Sequence, residues 1–481
     1  PVPPDPWAGV RDATAPGPLA PQAVAAPGSV LPGDPQHQSE DCLHLSVWTP
    51  GLDDERRPVM VWVHGGGYTS GSAGNALYRG DVLARRGDVV VVSVNYRLGA
   101  LGFLAHPALQ TEDHDGYGNW GLLDQIAALG WVRDHVADFG GDPQNVTVFG
   151  ESAGAMSVAS LLAMPGARGL FRRAVVQSGP PYVHSPARAA VAADALTQAL
   201  GLGAAGLGAV GRAALEAVPA DALVAAVSSI QRTTLLAGEL PLPLLPVVDG
   251  ATLPAAPLEE LRGGGAAGVE VLIGTNRDEI AFFGLADPAM ATLDEVGLRR
   301  RIAHSAPESS PDEVVETYRA VRGRRGEPVA PRDIWIAAAT DLVFRWPSLR
   351  LAATVGANGG RAFVYLFTWE SPVLGGALGA CHALEVPFVF GTLRDPPVAA
   401  MAGKGPRAIE LSDRMQAAWA AFARSGDPSN PRTGPWPHWD PGRRATMVLG
   451  RDVGVEDAPR DEELATWEAL LPLVGAESPR G

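Results

Sequence analysis

The residue best placed for chemistry is Ser152, which stands between two glycines in the stretch 150–154, GESAG. The β-branched and aromatic run 146–149 before it predicts a buried strand, and residues 153–164 predict a helix. A serine in so tight a strand-to-helix turn is typical of a nucleophile elbow, in which the hydroxyl projects clear of the backbone and faces the helix N-terminus. This arrangement favours attack on a carbonyl carbon and stabilisation of the oxyanion that forms.

A serine nucleophile needs a base to take its proton and an acid to orient that base. After a nucleophile elbow, the acid comes next along the chain and the histidine last. Asp278 and Glu279 follow the predicted strand 269–273, so position alone leaves both carboxylates open as the acid.

The base must be a histidine beyond these carboxylates, and three of the ten histidines qualify. His382 follows the predicted strand 362–367 and a short loop, which puts it at a strand end. His304 lies in an insertion and His438 in a segment rich in Pro and Trp. We therefore predict His382 as the base.

Backbone donors for an oxyanion are predicted in the glycine run that follows the strand 59–63. Glycines there let amide groups approach a developing negative charge closely. The predicted donors are the amides of Gly66, Gly67 and Ala153. His64, at the start of the run, is interpreted as a residue that orders the loop.

The elements that carry these residues alternate between strand and helix, which predicts an α/β fold with a mostly parallel sheet covered on both faces. Strands are predicted at 59–63, 89–94, 146–149, 174–176, 269–273 and 362–367, and helices at 122–136, 153–164 and 409–423. Two helix-rich insertions, about 185–265 and 288–358, interrupt the alternation without Pro/Ser linkers. We interpret residues 1–481 as one domain from which both insertions emerge.

Composition excludes several other classes of protein. The chain has 481 residues, 46% of them hydrophobic and 19% charged, as in soluble globular proteins. A net charge of −15 disfavours nucleic acids and anionic membranes as partners. No apolar run is long enough to span a bilayer. The chain begins at Pro1 without a methionine, and an N-terminal piece that could carry a signal is expected to be missing; without one in view we expect a cytoplasmic protein.

The motifs together resemble the type-B carboxylesterases, the α/β-hydrolase family that includes bacterial para-nitrobenzyl esterases and cholinesterases. The matching stretches follow the family's order along most of the chain: 39–43, 48–50, 61–68, 95–99, 118–125, 150–154, 177–179, 274–279 and 382–390. The resemblance implies hydrolysis of small-molecule carboxylic esters through an acyl-enzyme, with no metal or cofactor. It implies Ser152 as nucleophile, Glu279 rather than Asp278 as acid, and His382 as base.

The resemblance also implies roles for residues around these three. Glu151 would lie buried at the floor of the pocket, and Ser178 would place its hydroxyl near the catalytic residues. Arg97 would pair with Asp142 in a structural salt bridge. No motif specifies the oligomeric state.

The chain departs from the family at its N-terminus. Members usually carry a longer segment before Trp7, including an arginine that pairs with the glutamate at Glu40, so Glu40 is expected to be unpaired and to weaken the fold. The partner of Cys42 in secreted eukaryotic members has no counterpart, so Cys42 and Cys381 are predicted to be free. No tryptophan occurs between Trp7 and Trp48, and choline esters are therefore not expected as substrates.

Two further alternatives follow from the sequence. Some family members are catalytically silent adhesion or binding proteins, but these have usually lost a catalytic residue, and this chain keeps all three. Four aromatic residues, Phe344, Trp346, Trp369 and Phe390, could line the acyl pocket, although their spacing is more typical of the core. Glu385 is interpreted as a buried structural acid, and Asp278 as a turn carboxylate.

Overall fold

A single sheet of nine strands runs through the part of the chain that this computed structural model describes, which is residues 7–24, 37–110, 116–203, 206–236, 240–471 and 473. The strands are β1 Leu45–Trp48, β2 Arg57–Val63, β3 Val90–Val94, β4 Gly141–Glu151, β5 Arg173–Gln177, β6 Glu270–Asn276, β7 Ala362–Phe367, β8 Ala445–Leu449 and β9 Val453–Asp457. Their order is β1-β3-β2-β4-β5-β6-β7-β8-β9. Neighbours from β3 to β8 are parallel, whereas the pairs β1–β3 and β8–β9 are antiparallel. The predicted α/β class is confirmed.

The inner strands are apolar along their length because helices cover both faces of the sheet. Every residue of β2, β3, β5 and β7 is buried. This pattern made the inner strands predictable from the sequence, and β7 has the predicted bounds. The edge strands β1 and β9 and the strand β8 beside β9 were not predicted. A short edge strand such as β9 is partly exposed and lacks a dense apolar run.

The helices occupy the connections between strands. They are α1 Asp81–Gly87, α2 Gly99–Phe103, α3 Trp120–His135, α4 Ala153–Ala163, α5 Pro186–Ala199, α6 Leu207–Val210, α7 Arg212–Glu216, α8 Ala220–Leu236, α9 Pro257–Arg262, α10 Ile280–Phe283, α11 Glu295–Ser305, α12 Pro311–Arg324, α13 Pro331–Thr340, α14 Trp346–Ala357, α15 Val386–Phe390, α16 Pro396–Ala402, α17 Pro406–Ser425 and α18 Asp461–Glu468. A π-helical turn, Asp341–Arg345, joins α13 to α14. None of the helices described has the length and apolar character needed to cross a bilayer.

The two insertions are helical, as predicted, but they differ in where they pack. In the first, α8 packs against α2 and α5. Through Gln231, α8 also contacts Thr69 in the loop that follows β2. In the second, α14 packs against β6 and β7, so this helix covers the sheet itself. The interpretation of the whole chain as one domain stays a prediction.

The predicted salt bridge between Arg97 and Asp142 is wrong. Arg97 pairs with Asp124 of α3 through Nε and Nη2, both at 2.8 Å, and its backbone N–H donates to the same carboxylate. Asp142 instead accepts from Arg56 at the surface. The sequence could not show which of the two aspartates binds Arg97, because this depends on how α3 packs beside the loop that follows β3.

The expectations about the cysteines and about Glu40 have different outcomes. Cys42 and Cys381 are free and buried, as predicted. Glu40, however, is exposed. Water solvates an exposed carboxylate, so leaving Glu40 unpaired costs little. Its effect on the stability of the fold stays a prediction.

The parallel strands bring distant parts of the chain to one edge of the sheet. β2 ends just before the glycine run 64–67, and β4 ends just before Ser152. β6 ends three residues before Glu279, and β7 leads to the loop that carries His382. Since the carboxyl ends of parallel strands lie at the same edge, all four segments meet there.

Candidate active site

Ser152 occupies the sharp turn between β4 and α4. Its backbone has φ 56° and ψ −126°, a conformation that L-residues rarely adopt. A side chain at Gly154 would overlap the carbonyl oxygen of Val63, and a Cβ at Gly150 would lie 2.6 Å from the backbone of Gly154. Both flanking glycines are therefore required by the close approach of β2 and α4. The Ser152 amide is held by the carbonyl of Gln177 at 2.9 Å.

Ser152, His382 and Glu279 form a continuous chain of hydrogen bonds. The hydroxyl of Ser152 lies 2.8 Å from Nε2 of His382, and Nδ1 of His382 lies 2.6 Å from Oε2 of Glu279. A carboxylate can only accept, so Nδ1 carries a proton and Nε2 of the neutral ring is free to accept the serine proton. Glu279 is fully buried, and its other oxygen accepts the amide of Asn276 at 2.7 Å.

The neighbouring carboxylate Asp278 faces away from this chain of bonds. It accepts the amide of Ala380 at 2.8 Å and the guanidinium of Arg277, so it fixes the turn before the loop of His382. This agrees with its interpretation as a turn carboxylate.

Glu151 lies on the other side of the imidazole. Its Oε1 is 3.1 Å from Nε2 of His382, and the side chain is buried. Burial raises the pKa of Glu151 to about 8 against the lowering effect of His382, and the carboxylates of Glu385 and Glu279 raise it further. Burial lowers the pKa of His382, but the carboxylates of Glu151 and Glu279 outweigh this effect and raise it to about 9.

A buried amide and carboxylate network supports the loop that carries His382. Asn276 donates to the carbonyl of Cys381 and to Glu385, both at 2.7 Å. Gln177 donates to the second oxygen of Glu385 at 3.1 Å, and Trp419 donates to Gln177 at 3.0 Å. Glu385 is thus a buried structural acid, as interpreted. Sequence analysis missed the roles of Asn276 and Gln177. Each is the last residue of a strand, β6 and β5 respectively, of which the sequence predicted only a part.

Ser178 is buried at the end of β5 with φ 53°, and its amide donates to the carbonyl of Gly274. In the part of the chain that the structure describes, its hydroxyl has no hydrogen-bond partner. A role for this hydroxyl near the catalytic residues stays a prediction. The nearby thiol of Cys381 offers no competing nucleophile, because burial raises its pKa to about 12.

The glycine loop after β2 lies beside Ser152. Gly66 and Gly67 both have positive φ, 110° and 62°. His64 is buried, and its Nδ1 donates to the carbonyl of Gly65 at 2.8 Å, which orders the loop as interpreted. Because a trans peptide directs its C=O and N–H oppositely, this bond directs the Gly66 amide away from His64. Ala153 is the first residue of α4, where an amide has no partner within the helix.

A cavity of about 840 Å³ opens onto these residues. Three phenylalanines surround the imidazole of His382, with ring centroids 6.1 Å (Phe282), 5.0 Å (Phe283) and 5.1 Å (Phe344) from its own. Helix α8 of the first insertion supplies much of the opposite wall. Glu151 and His382 are the charged residues among the described lining.

Of the four aromatic residues weighed for the acyl pocket, Phe344 lines the cavity and the other three do not. Trp346 and Trp369 donate their indole N–H groups to backbone carbonyls elsewhere. Phe390 stacks on Phe149 in the core. Phe344 reaches the cavity because of the side of the π-helical turn on which it lies. The spacing of aromatic residues in the sequence does not reveal that side.

Comparisons with known proteins identify the family of the chain. The model of the carboxylesterase family matches residues 1–467. A para-nitrobenzyl esterase of Bacillus subtilis (strain 168) is 36% identical over 468 residues, 96% of this chain and 90% of that protein. A phenmedipham hydrolase of Pseudarthrobacter oxydans is 38% identical over 457 residues, 94% of this chain and 87% of that protein.

Solved structures show the same fold. A carboxylesterase of Geobacillus stearothermophilus superposes with a TM-score of 0.84 at 39% identity, covering 97% of this chain and 91% of that one. A thermophilic PNB esterase gives a TM-score of 0.81 at 35% identity, with 96% and 91% covered. The family match extends over residues 1–467, and the solved structures share the α/β-hydrolase fold over almost all of the chain. The chain therefore belongs to the carboxylesterase family and is a carboxylic-ester hydrolase.

Proposed function

We propose that the protein hydrolyses esters through an acyl-enzyme formed on Ser152, with His382 as base and Glu279 as the acid that orients it. The observation that carries the proposal is the unbroken chain of bonds Ser152–His382–Glu279, 2.8 and 2.6 Å long. In such a chain the serine depends on the histidine to take its proton, and the histidine depends on the carboxylate for its tautomer and orientation.

The reaction proceeds in two halves. The hydroxyl of Ser152 gives its proton to Nε2 of His382 as Oγ attacks the ester carbonyl carbon, and the carbonyl electron pair moves onto oxygen. The amides of Gly66, Gly67 and Ala153 stabilise that oxyanion. His382 then returns the proton to the leaving alcohol oxygen, and the C–O bond breaks to leave the acyl-enzyme. In the second half, His382 takes a proton from a water molecule as the water oxygen attacks the acyl carbonyl carbon. His382 then returns that proton to Oγ of Ser152, the bond between Oγ and the acyl carbon breaks, and the carboxylic acid leaves.

The cavity supports neutral esters as the substrates. Its walls are largely apolar, and the charged residues of the described lining are the reacting histidine and the neighbouring Glu151. Apart from the reacting His382, an anionic substituent would have no cationic partner among the described lining residues, and Glu151 would repel it. We propose esters with apolar acyl and alcohol groups.

The test is the Ser152→Ala variant. It should lower the hydrolysis of para-nitrophenyl acetate by at least about 10³-fold, because nothing else can form the acyl-enzyme. The matched control is Ser160→Ala on the same helix, whose hydroxyl bonds only within α4 and whose activity should stay near that of the parent.

Residual activity of Ser152→Ala within tenfold of the parent would refute the assignment. A fluorophosphonate probe should label the parent and not the variant. An unlabelled parent would instead favour a catalytically silent binding protein on this scaffold.

A further inference from the structure

The direction of the Gly67 amide depends on what holds the carbonyl of Gly66, since the two belong to one planar trans peptide and point oppositely. That carbonyl accepts from four donors of the next turn. The amides of Thr69 and Ser70 lie at 3.1 and 3.0 Å, and the two hydroxyls at 3.3 and 3.1 Å, respectively. A Cβ at Gly66 would overlap the carbonyl oxygen of Ser70, so this turn is closed tightly. Its bonds turn the Gly66 carbonyl inward to the loop and the Gly67 amide away from it.

One of these donors is itself held by the first insertion. Nε2 of Gln231, on α8, donates to the hydroxyl oxygen of Thr69 at 2.9 Å and to the carbonyl of Pro241 at 3.2 Å. Since a hydroxyl that accepts from Gln231 can donate its own proton onward, the bond directs the Thr69 proton to Gly66. Both amide protons of Gln231 are used, and its side chain is therefore fixed in one orientation.

The same loop is fixed at two further points. Leu242 of the first insertion lies against Gly67, where an added Cβ would be 3.2 Å from its Cδ2. On the other side, Gln22 accepts the amide of Gly71 at 2.8 Å and donates to its carbonyl at 3.0 Å. The loop is thus held between the N-terminal segment and the insertion, and Gln231 supplies a polar contact from α8.

We propose that Gln231 is a positioning residue for the oxyanion donors: through the hydroxyl of Thr69 it orients the Gly66–Gly67 peptide. This inference rests on the proposed function of the Gly67 amide. A glutamine that served only as a wall of the cavity would affect how substrates bind. A positioning glutamine affects how well the transition state is stabilised, because the oxyanion is fully formed only there.

The experiment is a double-mutant cycle with Gln231→Leu and Thr69→Val, which keep side-chain volume and remove the hydrogen bond. Each variant should lower kcat for para-nitrophenyl acetate roughly tenfold, with KM changed less than about twofold. In the Thr69→Val background, Gln231→Leu should cause no further loss, since both residues act through one bond. The affinity for a trifluoromethyl ketone transition-state analogue should fall by the same factor as kcat/KM.

The controls separate this effect from general damage to the fold. Thr69→Ser keeps the hydroxyl and should retain the parent kcat. Thr234→Val lies on the same helix, loses a hydroxyl that bonds to its own helix at Ile230, and should also match the parent. Thermal unfolding of all variants should occur at the temperature of the parent. If Thr69→Val does not fold, the proposal is tested by the kcat of Gln231→Leu and by the affinity of that variant for the transition-state analogue.

A change in KM alone, additive losses in the double variant, or an unchanged kcat in Gln231→Leu would overturn the proposal. These outcomes differ from a failure of the proposed function. If the proposed function were wrong, Ser152→Ala would keep its activity and the parent would not react with the fluorophosphonate, independently of the result for Gln231→Leu.

Discussion

His382 faces carboxylates from both sides of its ring, and their effects on it differ. Glu279 is bonded to Nδ1 and fixes the tautomer that the proposed mechanism needs. Glu151 lies 3.1 Å from Nε2, the atom that we propose accepts the serine proton. Since both pKa values are raised, to about 8 for Glu151 and about 9 for His382, the two groups titrate as a pair. The pair must release its proton before Nε2 can act as a base.

The pH dependence of the reaction follows from this pair. Between pH 6 and 9, kcat/KM should rise with pH, because the neutral imidazole is the active form and its pKa is raised. Glu151→Gln removes a charge that raises the His382 pKa, so the rising limb should move to lower pH by about one unit. The measurement is the pH profile of kcat/KM with a para-nitrophenyl ester.

Glu370→Gln provides the comparison for that profile, because Glu370 is an exposed partner of Arg277 and should leave it unchanged. An unchanged midpoint in Glu151→Gln would show that the Glu151 carboxylate carries no charge opposite the imidazole.

At the scale of elements, the site is built from loops that leave the carboxyl edge of the sheet. Buried polar contacts secure the loop that carries His382 and the loop after β3. The loop after β3 is secured by Asp124 of α3. The side chain of Asp124 is 1% exposed and takes two bonds from the Arg97 guanidinium and one from its backbone amide. The elements are thus joined by hydrogen bonds to charged groups as well as by apolar packing.

Asp124→Ala should lower the free energy of unfolding by roughly 3 kcal/mol, because it leaves a partly buried guanidinium and an amide without their acceptor. The urea midpoint of unfolding measures this loss. Asp142→Ala, which breaks an exposed pair with Arg56, should cost under about 1 kcal/mol. Equal losses in the two variants would contradict the assignment of Asp124 as the structural partner.

Across the whole molecule, the C-terminal helix α18 is tied to the wall of the active site. Glu463 of α18 is fully buried and accepts from Arg325 at 2.8 Å and Arg460 at 2.9 Å. Trp467 of α18 donates to the hydroxyl of Tyr318 at 2.7 Å, and that hydroxyl donates to Asp341 at 2.8 Å.

Asp341 begins the π-helical turn that contains Phe344, one of the phenylalanines beside His382. Helix α18 therefore supports the geometry of the pocket through the π-helical turn. Removing part of this support should act on the stability of the whole molecule.

Glu463→Ala should lower the free energy of unfolding by about 3 to 5 kcal/mol, since two guanidinium groups lose a buried partner. Thermal or urea unfolding measures the change. The adjacent Glu462, exposed and paired with Arg324, is the matched control, and Glu462→Ala should shift stability by less than about 1 kcal/mol. A Glu463→Ala protein as stable as the control would show that the buried pairs add nothing to the fold.

The sequence by itself determined the inner strands, the strand-to-helix turn at Ser152 and the order serine, acid, histidine. It did so because buried parallel strands are continuous apolar runs and a turn this tight requires glycine on both sides. The same local signals were absent at the edge strand β9, which is half exposed and was missed.

Only the tertiary structure decided which side chains meet across the molecule. Asp124 rather than Asp142 binds Arg97, Phe344 alone of four aromatic residues reaches the cavity, and Gln231 bonds to Thr69 from 162 residues away. Each choice depends on how a helix is seated against the sheet. That seating is the sum of many packing contacts along the chain, and no short stretch of sequence carries it.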